Sequence, residues 1–235
     1  MILSFINHVS WEWISKLLFG FSVTISLYLI ANYLHQRWRA LHPLALTSLS
    51  LIAILLITDI PYDDYAVGGN LISFFLGPAT VALAAPLYRR RKDIRQRLWG
   101  ILGSISIGSA VGIMMSALLI MLFHGSHELL LATLPKSATA AISYELAELV
   151  GGPGELAAVL TVLTGLTGSM LGPPLLRLLR LDATLPLGIA IGTAAHGIGT
   201  SRLLRDSEEA GAYSGLAMGL TGIIVSLLMV PVYFW

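Results

Sequence analysis

The sequence predicts an all-α polytopic membrane protein with two interrupted segments, and three observations carry that reading. Hydrophobic residues make up 56% of the 235 residues and charged residues only 11%, less than half the charged share of a soluble domain. Cutting the chain at its charges leaves a series of uncharged stretches of about the 18 or more residues that crossing a hydrocarbon core requires. The stretch over 188–200, GIAIGTAAHGIGT, is uncharged like the others yet holds four glycines and a histidine, so a plain, evenly packed helix is not expected there.

Taken in order, the uncharged stretches cover residues 17–36, 40–58, 65–88, 98–127, 156–176, 183–201 and 210–235. The first has neither a basic leader nor a small-residue cleavage site near Gly20, so residues 12–33 read as a retained span. The third is marked by Gly68-Gly69 and then Gly77-Pro78, and the fifth ends in Gly172-Pro173-Pro174. An eighth apolar region, 129–150, is broken by Lys136, Glu145 and Glu148. The expectation is six plain spans plus two broken or re-entrant segments, 133–150 and 183–202, within one integral membrane domain over 1–235.

Trp11, Trp13, Trp38, Trp99, Tyr233 and Trp235 fall near span ends, where amphipathic rings settle at the membrane–water boundary. Six of the fourteen Lys and Arg occupy one loop, Arg89-Arg90-Arg91-Lys92 with Arg95 and Arg97. The positive-inside rule places that loop in the cytoplasm and, by parity, both termini outside. A basic loop can also attract nucleic acid or anionic lipid, but between two spans topology accounts for it, and no nucleic-acid partner is expected. Arg177 and Arg180 end up inside if both unusual segments re-enter and outside if both cross, so the charge rule leans toward re-entry. Two short echoes, Leu76-Gly77-Pro78 with Leu171-Gly172-Pro173 and Thr133-Leu134-Pro135 with Thr184-Leu185-Pro186, raise an internal repeat of the kind many transporters use.

The absence of cysteine removes disulfides and thiol chemistry. No nucleotide-binding loop, nucleophile elbow or metal-ligand pair appears, so neither an enzyme nor a metal site is expected. The polar residues that stand out are intramembrane. Pro78-Ala79-Thr80 and Pro135-Lys136-Ser137 place proline where a helix could begin, leaving free N–H groups behind it. Such a helix start attracts a carboxylate, with Lys136 adding a full charge and Thr80, Ser137 and Thr139 adding hydroxyls. On a continuous helix Thr193, His196 and Thr200 would share one face, and Gly188, Gly192, Gly197 and Gly199 would let backbones approach closely. The bland alternatives are a snorkelling lysine, prolines that merely kink, and a histidine tied to a carbonyl. Glu145 and Glu148 read as structural.

The blocks LGPATVALAAPLY (76–88), LPKSATAAIS (134–143), TGLTG (164–168) and GTAAHGIGTSR (192–202), with Gly68-Gly69 and Gly151-Gly152, resemble the LrgB/CidB family over roughly residues 41–235, leaving 1–40 as an N-terminal span. That resemblance implies antiholin-like control of murein hydrolase export, or transport of small monocarboxylates of the glycolate, glycerate and pyruvate class, as in the C-terminal half of the plastidial glycolate/glycerate transporter. It also implies a bacterial inner membrane and a separate small LrgA/CidA-type partner. Many members read PKSVTTPIA where this chain reads PKSATAAIS, so substrate identity is not carried across. The sequence-based expectation is a secondary carrier without a bound cofactor, working in the lipid bilayer as a homodimer. Its carboxylate would be held by Lys136, Ser137, Thr139, Thr80, Thr193, His196 and Thr200 around breaks at Gly77, Pro78, Pro135, Gly192, Gly197 and Gly199, with proton or sodium coupling both open. The alternative is the antiholin-like regulator.

Overall fold

A computed structural model describes residues 11–38, 42–75, 78, 81–82, 84–181 and 183–234. Among these there is helix and no strand, and four helices are long and apolar enough to cross a membrane. The chain divides into two compact units, residues 1–82 and 83–235.

The first unit contains α1 (Trp11–Arg37), α2 (Pro43–Thr58) and α3 (Tyr62–Phe74). α1 and α3 cross at Gly20 and Gly68, where a Cβ on either glycine would collide with the other helix's backbone. Thr24 Oγ1 lies 3.0 Å from the Tyr65 hydroxyl, and Lys16 bridges Glu12 at 2.7 Å and Asp64 at 2.9 Å. The expected span over 65–88 is not one helix. α3 stops at Phe74, ahead of a Gly-Pro pair that helical backbone does not favour. Gly77 and Thr80 lie outside the described residues, and Pro78 is exposed.

The second unit begins with two short helices in the basic loop, α4 (Ala84–Arg89) and α5 (Arg91–Gln96). Three long helices follow: α6 (Leu98–Leu122), α9 (Gly154–Leu178) and α11 (Glu208–Tyr233). At 25 or 26 residues each they run to about 37–39 Å, more than the roughly 30 Å of hydrocarbon. Between them sit the two irregular segments.

The first irregular segment is a hairpin. α7 (His127–Thr133) runs in, the chain turns through a 3₁₀ element (Leu134–Ser137), and α8 (Ala140–Leu149) runs back. Gly152, just past α8, lies so near α7 that a Cβ there would be 2.7 Å from Leu131 Cβ. Ala132 and Ala147, on the two limbs, share a buried cluster with Ala157 of α9. Ser143 Oγ donates to the Pro135 carbonyl at 2.7 Å, binding the turn to the returning limb.

The second is a hairpin as well. α10 (Thr184–Asp206) reads as one helix by its hydrogen bonds, but His196 has φ 44° and ψ −136°, far from helical. Gly188 packs against Ala210 and Ser214 of α11, while Leu204 packs against Gly211. On a straight helix residues 188 and 204 would be about 24 Å apart, yet here they contact adjacent turns of α11. The chain therefore reverses at His196. The outgoing limb (184–195, α10a) runs parallel to α11, and the returning limb (197–206, α10b) runs antiparallel to it.

Both irregular segments thus re-enter, as the charge rule leans. α9 separates them, so they enter from opposite ends of the unit. The groove residues Arg97, Leu176, Leu181 and Leu185 adjoin one another, and Arg89 and Arg90 pair with Glu208 and Glu209 at 2.9 and 3.1 Å. The basic loop, Arg177, Arg180 and Arg205 are accordingly gathered at one end, with Glu145, Glu148 and Glu155 at the other.

α9 also departs from expectation. Gly172-Pro173-Pro174 does not end it, and the helix continues to Leu178. Pro173 has no N–H to offer the Ser169 carbonyl one turn back. That carbonyl instead accepts from Arg202 Nη1 on α10b.

Candidate functional site

The two hairpin tips come against the same face of α6. Thr193, near the end of α10a, has its Cγ2 3.8 Å from where a Cβ on Gly108 would be, and Ser137 Oγ is 3.4 Å from the same position on Gly112. Gly108 and Gly112 are one turn apart, about 6 Å, and each lies ten residues from an end of α6. The tips therefore meet near the middle of a helix that spans the bilayer. A Cβ at either position would make only an ordinary contact with its tip, so the two glycines leave a small free space between α6 and the tips.

Each tip also presents a helix N-terminus. α8 starts at Ala140, five residues later than a start at Pro135 would put it, with Thr139 as its N-cap. Thr139 Oγ1 accepts from Ile142 N at 3.4 Å, so this hydroxyl orders the helix start first. α10b starts immediately after His196. The leading N–H groups of both helices lie outside their own ladders and carry partial positive charge. Lys136, half-buried in the 3₁₀ turn, forms no hydrogen bond or ion pair with a described residue. Pro135 is buried beside it and its carbonyl is taken by Ala138 N and Ser143 Oγ.

His196 is 4% exposed, and its Nε2 and the Thr193 Oγ1 are buried atoms without a hydrogen-bond partner among the described residues. The opposite edge of the ring faces α9: a Cβ on Gly165 would sit 3.5 Å from His196 Nδ1 and 3.4 Å from the Ala195 carbonyl. Thr193, His196 and Thr200 do not share a helical face, because the reversal at His196 puts Thr193 and Thr200 on different limbs. Thr200 Oγ1 donates to the His196 carbonyl at 2.7 Å and lies 2.8 Å from Ser214 Oγ of α11. It stabilises the turn rather than facing Ser137. Gly192 abuts the Ser214 backbone, Gly197 faces Met218 with room to spare, and Gly199 folds against Ala195 and Ile191. Gly192 thus permits close packing, and Gly199 a tight reversal.

Of the residues the sequence singles out, Ser137 and Thr193 come together across α6, with Lys136 and His196 at their respective tips. The sequence reading passed over Gly108 and Gly112, although their four-residue spacing was a visible signal. It also passed over Arg202 and over Ser109 and Thr161, whose buried hydroxyls have no partner among the described residues. No cluster of three or more metal-ligating side chains occurs among the described residues. Chemically, two helix N-termini, a lysine and uncommitted hydroxyl and imidazole groups favour an anion over a cation.

The LrgB-like family matches residues 24–235 of this chain. The holin-like protein CidB of Staphylococcus aureus (strain Mu50) is 35% identical over 209 residues, covering 88% of this chain and 91% of that protein. Protein YwbG of Bacillus subtilis is 34% identical over 204 residues, covering 86% and 91%. A Haemophilus influenzae protein is 35% identical over 208 residues, covering 88% and 90%. No solved structure matches.

Proposed function

The chain belongs to the LrgB-like family, and from that premise we propose two readings of a multi-pass membrane protein, one favoured by its relatives and one by its geometry. The relatives favour a holin-like role: the chain would act with a small LrgA/CidA-type membrane protein to regulate murein hydrolase export and autolysis. The observation behind it is the 35% identity to a protein named holin-like across 88% of the chain. This reading has more direct support from the comparisons than any particular substrate does.

The geometry favours a secondary carrier of small monocarboxylates, of the glycolate or pyruvate class. One observation carries it: two hairpins from opposite ends bring Ser137 and Thr193 to adjacent turns of α6 near its middle, with a helix N-terminus at each tip and Lys136 and His196 at the respective turns. Buried polar groups without partners are costly, and a purely scaffolding protein gains little from them. Discontinuous helices whose N-termini point at an anionic group are a recurring transporter device. The carboxylate would rest between the tips, and alternating access would move one hairpin relative to α6. Protons through His196 or sodium on tip carbonyls would supply coupling.

On either reading the basic end of the second unit faces the cytoplasm of a bacterial inner membrane, with both termini outside, and the working form is a homodimer. Uptake of labelled glycolate and pyruvate by proteoliposomes holding the purified chain, with and without a pH gradient, separates the readings. The carrier reading expects saturable uptake that Lys136→Ala abolishes. Folded protein that takes up neither acid overturns the self-sufficient carrier. Murein hydrolase release that depends on the chain and its small partner, and survives Lys136→Ala and His196→Ala, supports the holin-like role.

A further inference from the structure

A groove of about 650 Å³ runs along the second unit between α6 and α10a, closed at one side by the end of α9. Its walls are apolar or small: Ile101, Leu176, Leu181, Leu185, Ile189 and Ala190 are among them. Arg97 stands at its outer end, and Gly108 and Thr193 close the inner end. Gly100 to Gly108 spans about 12 Å of α6, close to the roughly 15 Å depth of one leaflet. The groove therefore starts at the basic surface and stops near the bilayer centre.

The walls decide what such a groove takes. Apolar surface at this depth is not a stable seat for water or a hydrated solute, whereas an acyl chain matches both its polarity and its length. The outer end selects a headgroup of opposite charge. The Arg97 guanidinium has no hydrogen bond or ion pair with a described residue, and Arg97 is also the N-cap of α6 without a side-chain cap. A free guanidinium beside the uncapped start of a 25-residue helix attracts a phosphate. Arg95, on the last turn of α5, adds positive charge next to it.

We propose that this groove binds one anionic phospholipid, its phosphate on Arg97 and the start of α6 and one acyl chain laid between α6 and α10a. The chain terminus then reaches Thr193, so the lipid occupies the lane from the basic surface to the second hairpin tip and holds α10a against α6. The assignment does not depend on which function is correct.

Thermal unfolding of the purified chain in detergent, with added dioleoyl phosphatidylglycerol or dioleoyl phosphatidylcholine, tests it. Phosphatidylglycerol should raise the midpoint by about 4 °C more than phosphatidylcholine does, and Arg97→Gln should erase the difference. Equal shifts by the two lipids, or a preference that survives Arg97→Gln, overturn the proposal, as does inorganic phosphate reproducing the whole effect. The chain has no cysteine, so Ser104→Cys, on an exposed groove residue, gives a readout independent of stability. In phosphatidylglycerol bilayers a water-soluble maleimide should label it poorly, and adding Arg97→Gln should raise labelling several-fold. Full labelling without that second change means a hydrated passage and rules the lipid out.

Discussion

Pro173 and Arg202 form a donor exchange across two helices: the proline withholds an N–H from the Ser169 carbonyl, and the arginine donates to that carbonyl instead. The bond fastens the returning limb of the second hairpin to α9 where Pro173 and Pro174 open α9's own ladder.

Arg202→Gln should therefore destabilise the protein by about 1.5–3 kcal/mol, the range for a hydrogen bond involving a charged group. Pro173→Ala restores the local donor, so Arg202→Gln should lose much less in that background. A double-mutant cycle on unfolding midpoints reads the coupling, and additive losses would show that the arginine acts elsewhere.

At Gly192 a Cβ would run into the Ser214 carbonyl and Ala217 Cβ, whereas at Gly197 the nearest atom is Met218 Sδ at 3.7 Å. Backbone cannot step aside as a side-chain end can, so Gly192→Ala should cost about 1–3 kcal/mol or more. Gly197→Ala should be close to neutral. The yield and midpoint of the two variants, side by side, check the packing of α10a on α11.

His196 holds a positive φ that side-chain-bearing residues rarely adopt, a strain of about 1–3 kcal/mol. His196→Gly relieves it and His196→Ala does not, so the glycine variant should unfold at the higher temperature. If the imidazole also serves the solute, both variants should lose uptake alike. Stability and function then separate at a single position.

The location of the hairpins was legible in the sequence because glycine, proline and a lone charge are conspicuous in apolar chain. The distribution of arginine also pointed to re-entry, since Arg177 and Arg180 belong with the basic loop. Other features depended on packing that local pattern does not contain. Thr193, His196 and Thr200 have helical spacing, and only the reversal at His196 parts them. Leu171-Gly172-Pro173 looks like a helix end, but the Arg202 side chain, from a different helix, supplies what the proline lacks. The expected span over 65–88 rested on absent charge alone, which does not reveal that α3 ends at Phe74.

Lys136 has no partner among the described residues, so removing its charge gives up no ion pair with them. Lys136→Gln should unfold at the same temperature as the parent or higher, while binding of a small carboxylate weakens at least tenfold. Calorimetric titration with pyruvate beside an unfolding curve measures both. A large stability loss would mark the lysine as structural.

The glycines on α6 act as adjacent berths on a rail. Thr193 rests at Gly108 and Ser137 at Gly112, one helical turn further along. Close packing fastens α10a to α11 at Gly188 and Gly192, and α11 also shares a buried cluster with the first hairpin through Val225 and Met229. α11 is thus a common spine for both tips, and a shift of one hairpin along α6 has to break one of these two seams.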